Sequence, residues 1–375
     1  MVEFLTLSRD KTHKFFYKNL LQPIFFQIDP ETIHDAMISF GQFLGNYSFL
    51  RKFTSLLFFY QNKKLEQKIL GIKFKNPIGL GAGFDKNAQL TNILPYVGFG
   101  FAEMGSITGE PCEGNPKPRL WRLKKSKSLL VYYGLKNDGS VFLSKKLKSK
   151  KVLIPVGTNI AKTNNKKTVE TNAGIADYVK AFKNFSNIGD YFTINISCPN
   201  AYGGQPFTDS VRLEKLLLRI DKIPTKKPVF LKLSPDLTNH QVDKIIAVVK
   251  HHRVNGFICT NLTKVRKSKK IFDRIIHNDA GISGKVVEDL SNNQIAYVYK
   301  KTKGKYVIVG LGGVFDAEDA YKKIKAGASL VQLITGMIYE GPQVISEINQ
   351  GLVKLLVKDG FSNISEVIGV DNKIK

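Results

Sequence analysis

The chain has 375 residues, of which 43% are hydrophobic and 23% charged, and its formal net charge is +26 at pH 7. This balance provides enough apolar material for a sizeable core and excludes a chain that is disordered by composition. The lysines are scattered in short runs and form no basic stripe with interleaved aromatic residues, which argues against a nucleic-acid-binding protein. The excess charge therefore indicates either a solvated, lysine-rich surface or attraction to an anionic lipid or substrate.

The three cysteines, Cys112, Cys198 and Cys259, form neither a CxxC pair nor a metal-like cluster with the six histidines. An odd, low number of cysteines in a chain of this length is typical of a reducing, cytosolic compartment, and we expect no structural metal. The first residues lack the uninterrupted apolar stretch of a secretory signal, and no run of about 18 apolar residues predicts a membrane span.

The first 60 residues differ from the rest of the chain because they hold 11 of its 25 phenylalanines. Amphipathic helical patterns cover residues 14–27 and 30–44, and a third short apolar stretch covers residues 49–60. Asp29 is a typical helix start, because a capping residue there precedes a proline at the first helical position. Such helices cannot form a core alone, so they either pack on a neighbour or lie in a membrane interface.

From about residue 70 the pattern changes to eight strand candidates that alternate with helical patterns. We expect strands within residues 77–83, 99–107, 152–162, 191–199, 228–235, 256–263, 306–314 and 329–336. Helices are expected at residues 175–185, 211–220, 240–251, 286–300 and 317–326. This alternation predicts an α/β fold, a (β/α)8 TIM barrel with a small N-terminal helical extension. A doubly wound sheet is the alternative, but residues 81–88 lack the glycine fingerprint that it requires.

Each strand candidate begins with apolar residues and ends in polar or glycine-rich sequence. Active sites of such barrels lie at the C-terminal ends of the strands, so this placement predicts a site there. Gly312, Gly313 and Thr335 end the last two strands, where backbone amides can bind a phosphate. A GxGG segment alone is a weak signal, because glycines also end strands for steric reasons.

Lysines and asparagines at the strand ends indicate a site for a planar, polar ring. Lys232 is flanked by apolar residues, which predicts a half-buried ammonium with an anionic partner such as a reduced flavin; a lysine that reaches the surface is the alternative. Cys198 is either a proton acceptor whose thiolate is favoured by nearby lysines or a small buried hydrophobe. The amides able to read such a ring are Asn159, Asn195, Asn200 and Asn261.

These stretches resemble the dihydroorotate dehydrogenase family over roughly residues 70–350. The matching segments are FKNPIGLGAGFDKN, GNPKPRLWRL, INISCPN, FLKLSPDL, GISGK, GLGGV and GASLVQLITGMIYEGP. The first 60 residues resemble the helical extension of the membrane-associated, quinone-reducing class, through Asp29, Pro30, Glu31 and His34. In that class the extension forms an apolar quinone tunnel at the membrane interface, so the resemblance favours the interfacial interpretation of the Phe-rich helices.

The resemblance implies an FMN-dependent enzyme of pyrimidine biosynthesis that oxidises dihydroorotate to orotate and uses a quinone as electron acceptor. Residues 1–65 would form the quinone- and membrane-associating extension, residues 66–360 the FMN-binding barrel and residues 361–375 a C-terminal tail. The implied location is peripheral, on the cytoplasmic side of the cell membrane, against an anionic surface. The oligomeric state is left open.

The resemblance also implies roles for individual residues. Cys198 stands at the position of the catalytic base, and His34 and Arg122 stand at the quinone site. The substrate would meet Lys86, Asn195, Asn200, Asn261 and Lys136. FMN would be held by Ala82, Gly83, Lys86, Ser106, Asn159, Asn195, Lys232, Thr260, Ser283, Gly284, Gly312, Gly313, Ile334 and Thr335.

Several positions depart from the family pattern. A segment that usually reads Ile-Asn-Arg-x-Gly-Phe-Asn has Val131 and Lys136 in place of its two asparagines. Leu262 replaces a hydroxyl residue, Ile334 replaces a tyrosine, and Cys198 replaces the serine that is usual in the quinone class. Three alternatives follow: a related flavoenzyme for another pyrimidine-like ring, a soluble enzyme with a non-quinone acceptor, and a non-catalytic basic binding protein.

Overall fold

All strands of the structure follow a helical N-terminal segment. The computed structural model describes residues 2–372, with side chains from residue 5 onward. In chain order the strands are β1 (Gln67–Ile69), β2 (Ile72–Phe74), β3 (Ile78–Leu80), β4 (Phe101–Ile107), β5 (Leu120–Leu123), β6 (Ser128–Val131), β7 (Val156–Ile160), β8 (Tyr191–Asn195), β9 (Val229–Leu233), β10 (Gly256–Cys259), β11 (Gly281–Gly284), β12 (Val307–Leu311) and β13 (Leu330–Leu333).

Eight of these strands form a closed parallel barrel. Their order is β3, β4, β7, β8, β9, β10, β12 and β13, and β13 pairs again with β3. Every residue of β7, β8 and β9 is buried, as expected for strands with helices outside and side chains inside. The predicted (β/α)8 barrel is confirmed. The strands are shorter than the predicted ranges, because the polar residues at their C-terminal ends lie in the loops that follow.

Aromatic side chains close the N-terminal end of the barrel. Phe101, Tyr191 and Phe230, near the starts of their strands, form a buried cluster inside it. Phe74, from the antiparallel hairpin of β1 and β2, packs edge-on against Phe101 with ring centroids 5.5 Å apart. Because this end is filled, a ligand can enter only from the C-terminal ends of the strands.

The helices form the outer layer and the N-terminal segment. In chain order they are α1 (Val2–Phe16), α2 (Gln22–Phe25), α3 (Pro30–Asn46), α4 (Ser48–Phe58), α5 (Leu94–Val97), α6 (Ser140–Leu147), α7 (Thr171–Phe185), α8 (Ser210–Asp221), α9 (Asn239–Val249), α10 (Glu288–Thr302), α11 (Ala317–Ala326), α12 (Thr335–Glu340) and α13 (Val344–Lys358). Helices α7 to α11 confirm the five predicted between strands. Among residues 2–372, no helix is both long and apolar enough to cross a membrane.

The first helix is longer than its sequence pattern predicts. Helix α1 begins at residue 2, whereas the pattern placed its start at residue 14, and it continues through a π-helical turn at Tyr17–Leu21 into α2. Arg9 Nη1 donates to the carbonyls of Leu56 (3.0 Å) and Phe59 (3.2 Å). Asp10 Oδ2 accepts from Gln350 Nε2 at 2.7 Å. These contacts with distant parts of the chain stabilise the beginning of α1, where the hydrophobic periodicity of the sequence does not indicate a helix.

A second, three-stranded antiparallel sheet lies over the open end of the barrel. Its order is β11, β6 and β5, and Leu123, Leu130 and Ile282 form its buried apolar face. Helix α3 packs beside this sheet through an ion pair between Glu31 and Arg119, with Arg119 Nη2 at 2.8 Å from Glu31 Oε1. The barrel mouth is therefore enclosed by the strand ends, this sheet and α3.

Candidate active site

Two adjoining cavities occupy the C-terminal end of the barrel. The glycine-lined cavity, about 470 Å³, lies at the ends of β12 and β13 and includes Gly312 and Gly313. The lysine-lined cavity, about 890 Å³, lies between the barrel, the three-stranded sheet and α3 and includes Lys86 and Lys232. The two cavities share the wall residues Ala82, Lys232, Asn261, Leu262, Ser283, Ile334 and Thr335, so they adjoin along a common wall.

Backbone amides and hydroxyls converge in the glycine-lined cavity. Gly312 and Gly313 have φ values of +120° and +74°, a conformation that side chains disfavour. Among residues 2–372, the amides of these two glycines donate no hydrogen bond. The hydroxyl oxygens of Ser283 and Thr335 lie 2.8 Å apart on the same wall. Free amides beside two hydroxyls suit the oxygen atoms of a phosphate.

Lys232 projects from β9 into both cavities. Only 3% of the residue is exposed. Within residues 2–372 no hydrogen bond or ion pair separates its ammonium from the cavities that it lines. Burial lowers the pKa of Lys232, while the nearby Glu103 and Cys198 oppose that shift. A buried ammonium without a close partner is costly, so an electron-rich ring in the cavity would stabilise it. The sequence predicted a half-buried lysine, and the observed burial is deeper.

A buried carboxylate inside the barrel orients the polar groups above it. Glu103 accepts from Asn159 Nδ2 at 2.7 Å, and Asn159 in turn accepts from the hydroxyl of Ser106. Asn195 Nδ2 donates to Ser106 Oγ at 2.9 Å. Ser106 and Asn195 line the lysine-lined cavity, whereas Asn159 lies behind them. Glu103 was not predicted as a site residue, although a charged residue inside an otherwise apolar strand was the available signal.

The other two predicted amides are also held by neighbouring groups. Asn261 Nδ2 donates to the carbonyl of Ser197 at 2.9 Å. Asn200 Nδ2 donates to the carbonyl of Val131 at 2.8 Å, which links the loop after β8 to the three-stranded sheet. Both asparagines line the lysine-lined cavity, so their orientation is fixed before a ligand arrives.

Cys198 lies in the wall of the lysine-lined cavity, where it is partly buried. Burial raises the pKa of its thiol, and the positive charges of Lys162 and Lys232 oppose this without overcoming it. The nearby lysines therefore favour the thiolate, as expected, but loss of solvation is the larger effect in the free protein. Lys162 was not predicted as a site residue, although it ends the third predicted barrel strand. Its ammonium donates to the carbonyl of Tyr202 at 2.8 Å.

Lys86 lies at the far side of the lysine-lined cavity. Its ammonium donates to His34 Nε2 at 2.9 Å and lies 4.0 Å from the centre of the Tyr133 ring. Burial lowers the pKa of Lys86 to about 7 and is the main cause of a pKa of about 2 for His34. Lys136 lines the same cavity, with its ammonium 3.9 Å from a carboxylate oxygen of Glu31.

The remaining predicted residues lie in three settings. Ala82, Thr260, Gly284 and Ile334 line the glycine-lined cavity, and Gly83 lines the lysine-lined one. Arg122 lines neither cavity; its guanidinium donates to the carbonyl of Ile28 at 2.7 Å and lies 4.7 Å from the Phe26 ring centre. Apolar side chains form much of the lysine-lined wall, including the departures Val131 and Leu262 together with Leu120, Leu129, Leu135 and Ile338.

These features define a class of protein. A closed parallel barrel with free backbone amides after its seventh strand, next to a chamber with a buried lysine, is typical of (β/α)8-barrel enzymes that bind phosphate groups. A model of the dihydroorotate dehydrogenase family matches residues 64–356, and the chain belongs to this family. The family consists of flavin-dependent oxidoreductases, so this chain is an enzyme of that kind.

Curated relatives and solved structures extend the match over nearly the whole chain. A protein of Trichodesmium erythraeum (strain IMS101) named dihydroorotate dehydrogenase (quinone) is 38% identical over 95% of this chain and 99% of its own length. One with the same name from Natronomonas pharaonis is 37% identical over 94% and 98%. The crystal structure of DHODH from Eimeria tenella in complex with ferulenol superposes with a TM-score of 0.81 at 28% identity, covering 92% of this chain and 96% of that one.

Proposed function

We propose that this protein oxidises dihydroorotate to orotate, with bound FMN as the first electron acceptor and a quinone as the second, in pyrimidine biosynthesis. The observation that carries the proposal is the common wall of the two adjoining cavities. One end offers free amides for a phosphate, and the other offers Lys86, Cys198 and fixed amides for a small polar ring. Relatives named for this reaction with a quinone align with at least 94% of the chain.

The residues around the glycine-lined cavity fit FMN. We assign Gly312, Gly313 and Thr335 to the FMN phosphate. Lys232 is assigned to the electron-rich side of the flavin ring. When bound, FMN would accept the hydride released from C6 of dihydroorotate. The further contacts proposed for it are Ala82, Gly83, Lys86, Ser106, Asn159, Asn195, Thr260, Ser283, Gly284 and Ile334. Asn159 would act through Ser106, since it lies behind the cavity wall.

The chain's own residues would carry out binding and proton transfer. Cys198 removes the proton from C5 of dihydroorotate, which requires its thiolate form. Lys86 supplies positive charge for the substrate carboxylate, and Asn195, Asn200 and Asn261 orient the ring because neighbouring groups already hold them. Lys136, at the cavity entrance, would attract the anionic substrate.

We assign the second half-reaction to the N-terminal helices. Their aromatic side chains face solvent to an unusual extent, with Phe15 65%, Phe49 68% and Phe53 56% exposed. An exposed apolar face on a basic protein fits the interface of an anionic membrane. We therefore propose residues 1–65 as the quinone- and membrane-associating extension, 66–360 as the barrel and 361–375 as a tail, with the protein peripheral on the cytoplasmic side of the membrane. His34 and Arg122 would border the quinone path.

A second candidate is a related flavoenzyme that acts on another pyrimidine-like ring. The observation that favours it is the apolar wall formed by Val131, Leu135 and Leu262, since a site without hydrogen-bonding partners discriminates poorly for a polar substrate. A ring without the carboxylate would make less use of Lys86. The two candidates therefore differ in whether the carboxylate is needed.

Anaerobic titration of the purified protein tests the proposal. Released cofactor should be identified as FMN by mass spectrometry, and dihydroorotate should bleach the flavin absorbance in a single turnover. Dihydrouracil, which lacks the carboxylate, should bleach it far more slowly. A long-chain quinone should then restore the absorbance. Faster bleaching by dihydrouracil would favour the second candidate, and a protein that binds no flavin would contradict both.

A further inference from the structure

The N-terminal segment reaches into the lysine-lined cavity through His34 of α3. The imidazole Nε2 of His34 accepts a hydrogen bond from Lys86 Nζ at 2.9 Å. The ring also packs edge-on against Phe84, two residues before Lys86, with centroids 4.9 Å apart at 87°. A side chain that comes from outside the barrel thus contacts the residue that we assign to the substrate.

An ion pair fixes the position of α3. Glu31 is 2% exposed, and both of its carboxylate oxygens accept hydrogen bonds from the Arg119 guanidinium, at 2.8 to 3.2 Å. His34 follows Glu31 by three positions, so the two side chains lie on the same face of the helix. Asp29 caps the helix by accepting from the amide of Thr32 at 2.8 Å. The ring of His34 is therefore held at Lys86 by contacts that precede ligand binding.

We infer that His34 is a positioning residue for Lys86, so that the N-terminal extension takes part in binding the substrate as well as in electron transfer to a quinone. This rests on the proposed function, because it takes Lys86 as the residue that meets the substrate carboxylate. His34 would act through Lys86 and would not touch the reacting atoms.

The surroundings of Lys86 leave its ammonium with few stabilising contacts. Among residues 2–372, no carboxylate oxygen lies within 4.0 Å of its Nζ, and the close contacts are His34 Nε2 and the face of the Tyr133 ring. A neutral imidazole can accept this hydrogen bond at any physiological pH, because burial and the positive charge of Lys86 hold the pKa of His34 at about 2. The charged groups that face Lys86 at longer range are Asp35 and Glu31, which raise its pKa, and Lys136 and Arg119, which lower it.

Removal of the His34 acceptor changes the pKa of Lys86 in a defined direction. The pKa of Lys86 is already lowered to about 7 by burial. The charged form of Lys86 donates this hydrogen bond, so its loss lowers the pKa of Lys86 further. On raising the pH, the ammonium then loses its proton at a lower pH than in the parent protein. Dihydroorotate binding that needs the ammonium then weakens at a lower pH as well. A hydrogen bond to a charged group accounts for about tenfold in affinity or more.

The experiment compares His34→Phe with His34→Gln in the full-length holoenzyme. His34→Phe keeps an aromatic ring but no acceptor, and we expect it to raise the dissociation constant for dihydroorotate about tenfold and to shift its pH dependence down by about one unit. The rate of flavin reduction at saturating dihydroorotate should change little. His34→Gln, whose amide oxygen can accept, should restore most of the affinity. His13→Phe is the matched control, since His13 lies on α1 and its ring faces Phe58 at 5.3 Å.

A second readout is independent of turnover. The pH dependence of Lys86 labelling by an amine-reactive reagent, followed by peptide mass spectrometry, reports the pKa of Lys86 directly. We expect this pKa to fall in His34→Phe and to stay unchanged in His13→Phe. Unchanged labelling in His34→Phe, or an effect confined to the KM for quinone, would overturn the inference. A wild-type protein that dihydroorotate does not bleach would count against the proposed function alone, and the labelling result would still decide the role of His34.

Discussion

The two cavities at the barrel mouth are built in different ways. The glycine-lined cavity uses backbone amides and small side chains at the ends of adjacent strands, with Gly312 and Gly313 next to each other in sequence. The lysine-lined cavity combines side chains from α3, the three-stranded sheet and several strand ends, from His34 to Ile338. The family departures Val131, Lys136 and Leu262 all line this second cavity. Backbone contacts constrain the cofactor end, whereas side chains can change at the substrate end without loss of the fold.

This contrast implies that the two ends can be damaged separately. A change of side chain in the lysine-lined cavity should slow chemistry or weaken substrate binding and leave the flavin bound. A change of backbone freedom beside the flavin should weaken cofactor binding first. Flavin content and the rate of flavin reduction, measured on the same variants, therefore test whether the two cavities act independently.

The largest expected effect is that of Cys198→Ala. Removal of the proposed base should slow anaerobic flavin reduction by dihydroorotate by about 10²–10⁴, the usual contribution of a positioned general base. FMN content should not change, because the side chain is small and belongs to the substrate end. Cys198→Ser should retain part of the rate, since serine stands at this position in the resembling quinone class. Stopped-flow absorbance at saturating dihydroorotate measures the step.

A second cysteine provides the control for this variant. Cys112 is buried and lines neither cavity, and its thiol donates to the carbonyl of Gly134, a residue of the lysine-lined wall, at 3.4 Å. Cys112→Ala should reduce its flavin at the parent rate, even if its stability falls. If Cys198→Ala also bleaches at the parent rate, Cys198 is a structural residue, and Lys136 is the next candidate for the base.

The next effect concerns the junction of the two cavities, through Gly83→Ala, because Gly83 lines the lysine-lined cavity and the adjacent Ala82 lines both. Gly83 has a φ of +109°, and a Cβ built there would have no protein atom within 4 Å, because it points into open space at the cavity. Gly360 has a φ of +79° and equally open surroundings in a loop remote from both cavities. The two alanine variants should thus lose similar stability from backbone strain. Only Gly83→Ala should weaken FMN binding, by about tenfold or more, since overpacking a close contact costs about 1–3 kcal/mol.

Two measurements separate the loss of FMN affinity from the loss of stability. Equilibrium dialysis of FMN against the reconstituted variants gives the affinity, and thermal unfolding of the flavin-free proteins gives the stability. Equal FMN affinity in Gly83→Ala and Gly360→Ala would show that the flavin does not approach Gly83. The cofactor contacts proposed around Ala82 and Gly83 would then be wrong, whatever occupies the glycine-lined cavity.

Much of the barrel could be predicted from the sequence because its signals are local. Each strand is an apolar run that ends in glycine or a polar residue, and helices such as α11 follow from their own periodicity. The glycine-lined cavity also follows from neighbouring residues. The contact between His34 and Lys86 joins positions 52 residues apart, and no periodicity reports it. The net direction of the pKa shift of Cys198 could not be predicted, because the extent of burial cannot be read from a motif.

The same long-range contacts tie the N-terminal helices to the barrel. Ile38 of α3 belongs to one buried cluster with Leu90 and Ile93, and Glu31 pairs with Arg119 beside β5. Deletion of the first 60 residues would therefore expose core side chains and remove the acceptor for Lys86. Point substitutions in the full-length chain are the better way to separate quinone reduction from substrate oxidation.

The smallest expected effect is a shift of pH dependence in Lys162→Met. Burial raises the pKa of Cys198, so the thiolate needed for proton removal becomes the main form only at alkaline pH. The rate of flavin reduction should therefore increase with pH, and this rising limb of the pH–rate profile should lie above about 8.5, the pKa of a free thiol. The positive charge of Lys162 opposes this rise in the pKa. Methionine keeps a side chain of similar length but removes the charge, so the pKa of Cys198 increases and the limb moves to higher pH. Below the limb the rate should fall several-fold, and on the alkaline plateau it should match the parent rate. Lys167→Met, a change at an exposed lysine, serves as the control and should leave the limb in place. If the limb does not move in Lys162→Met, either Cys198 is not the proton acceptor or the charge of Lys162 does not affect its thiolate. The rate of flavin reduction in Cys198→Ala distinguishes these two explanations.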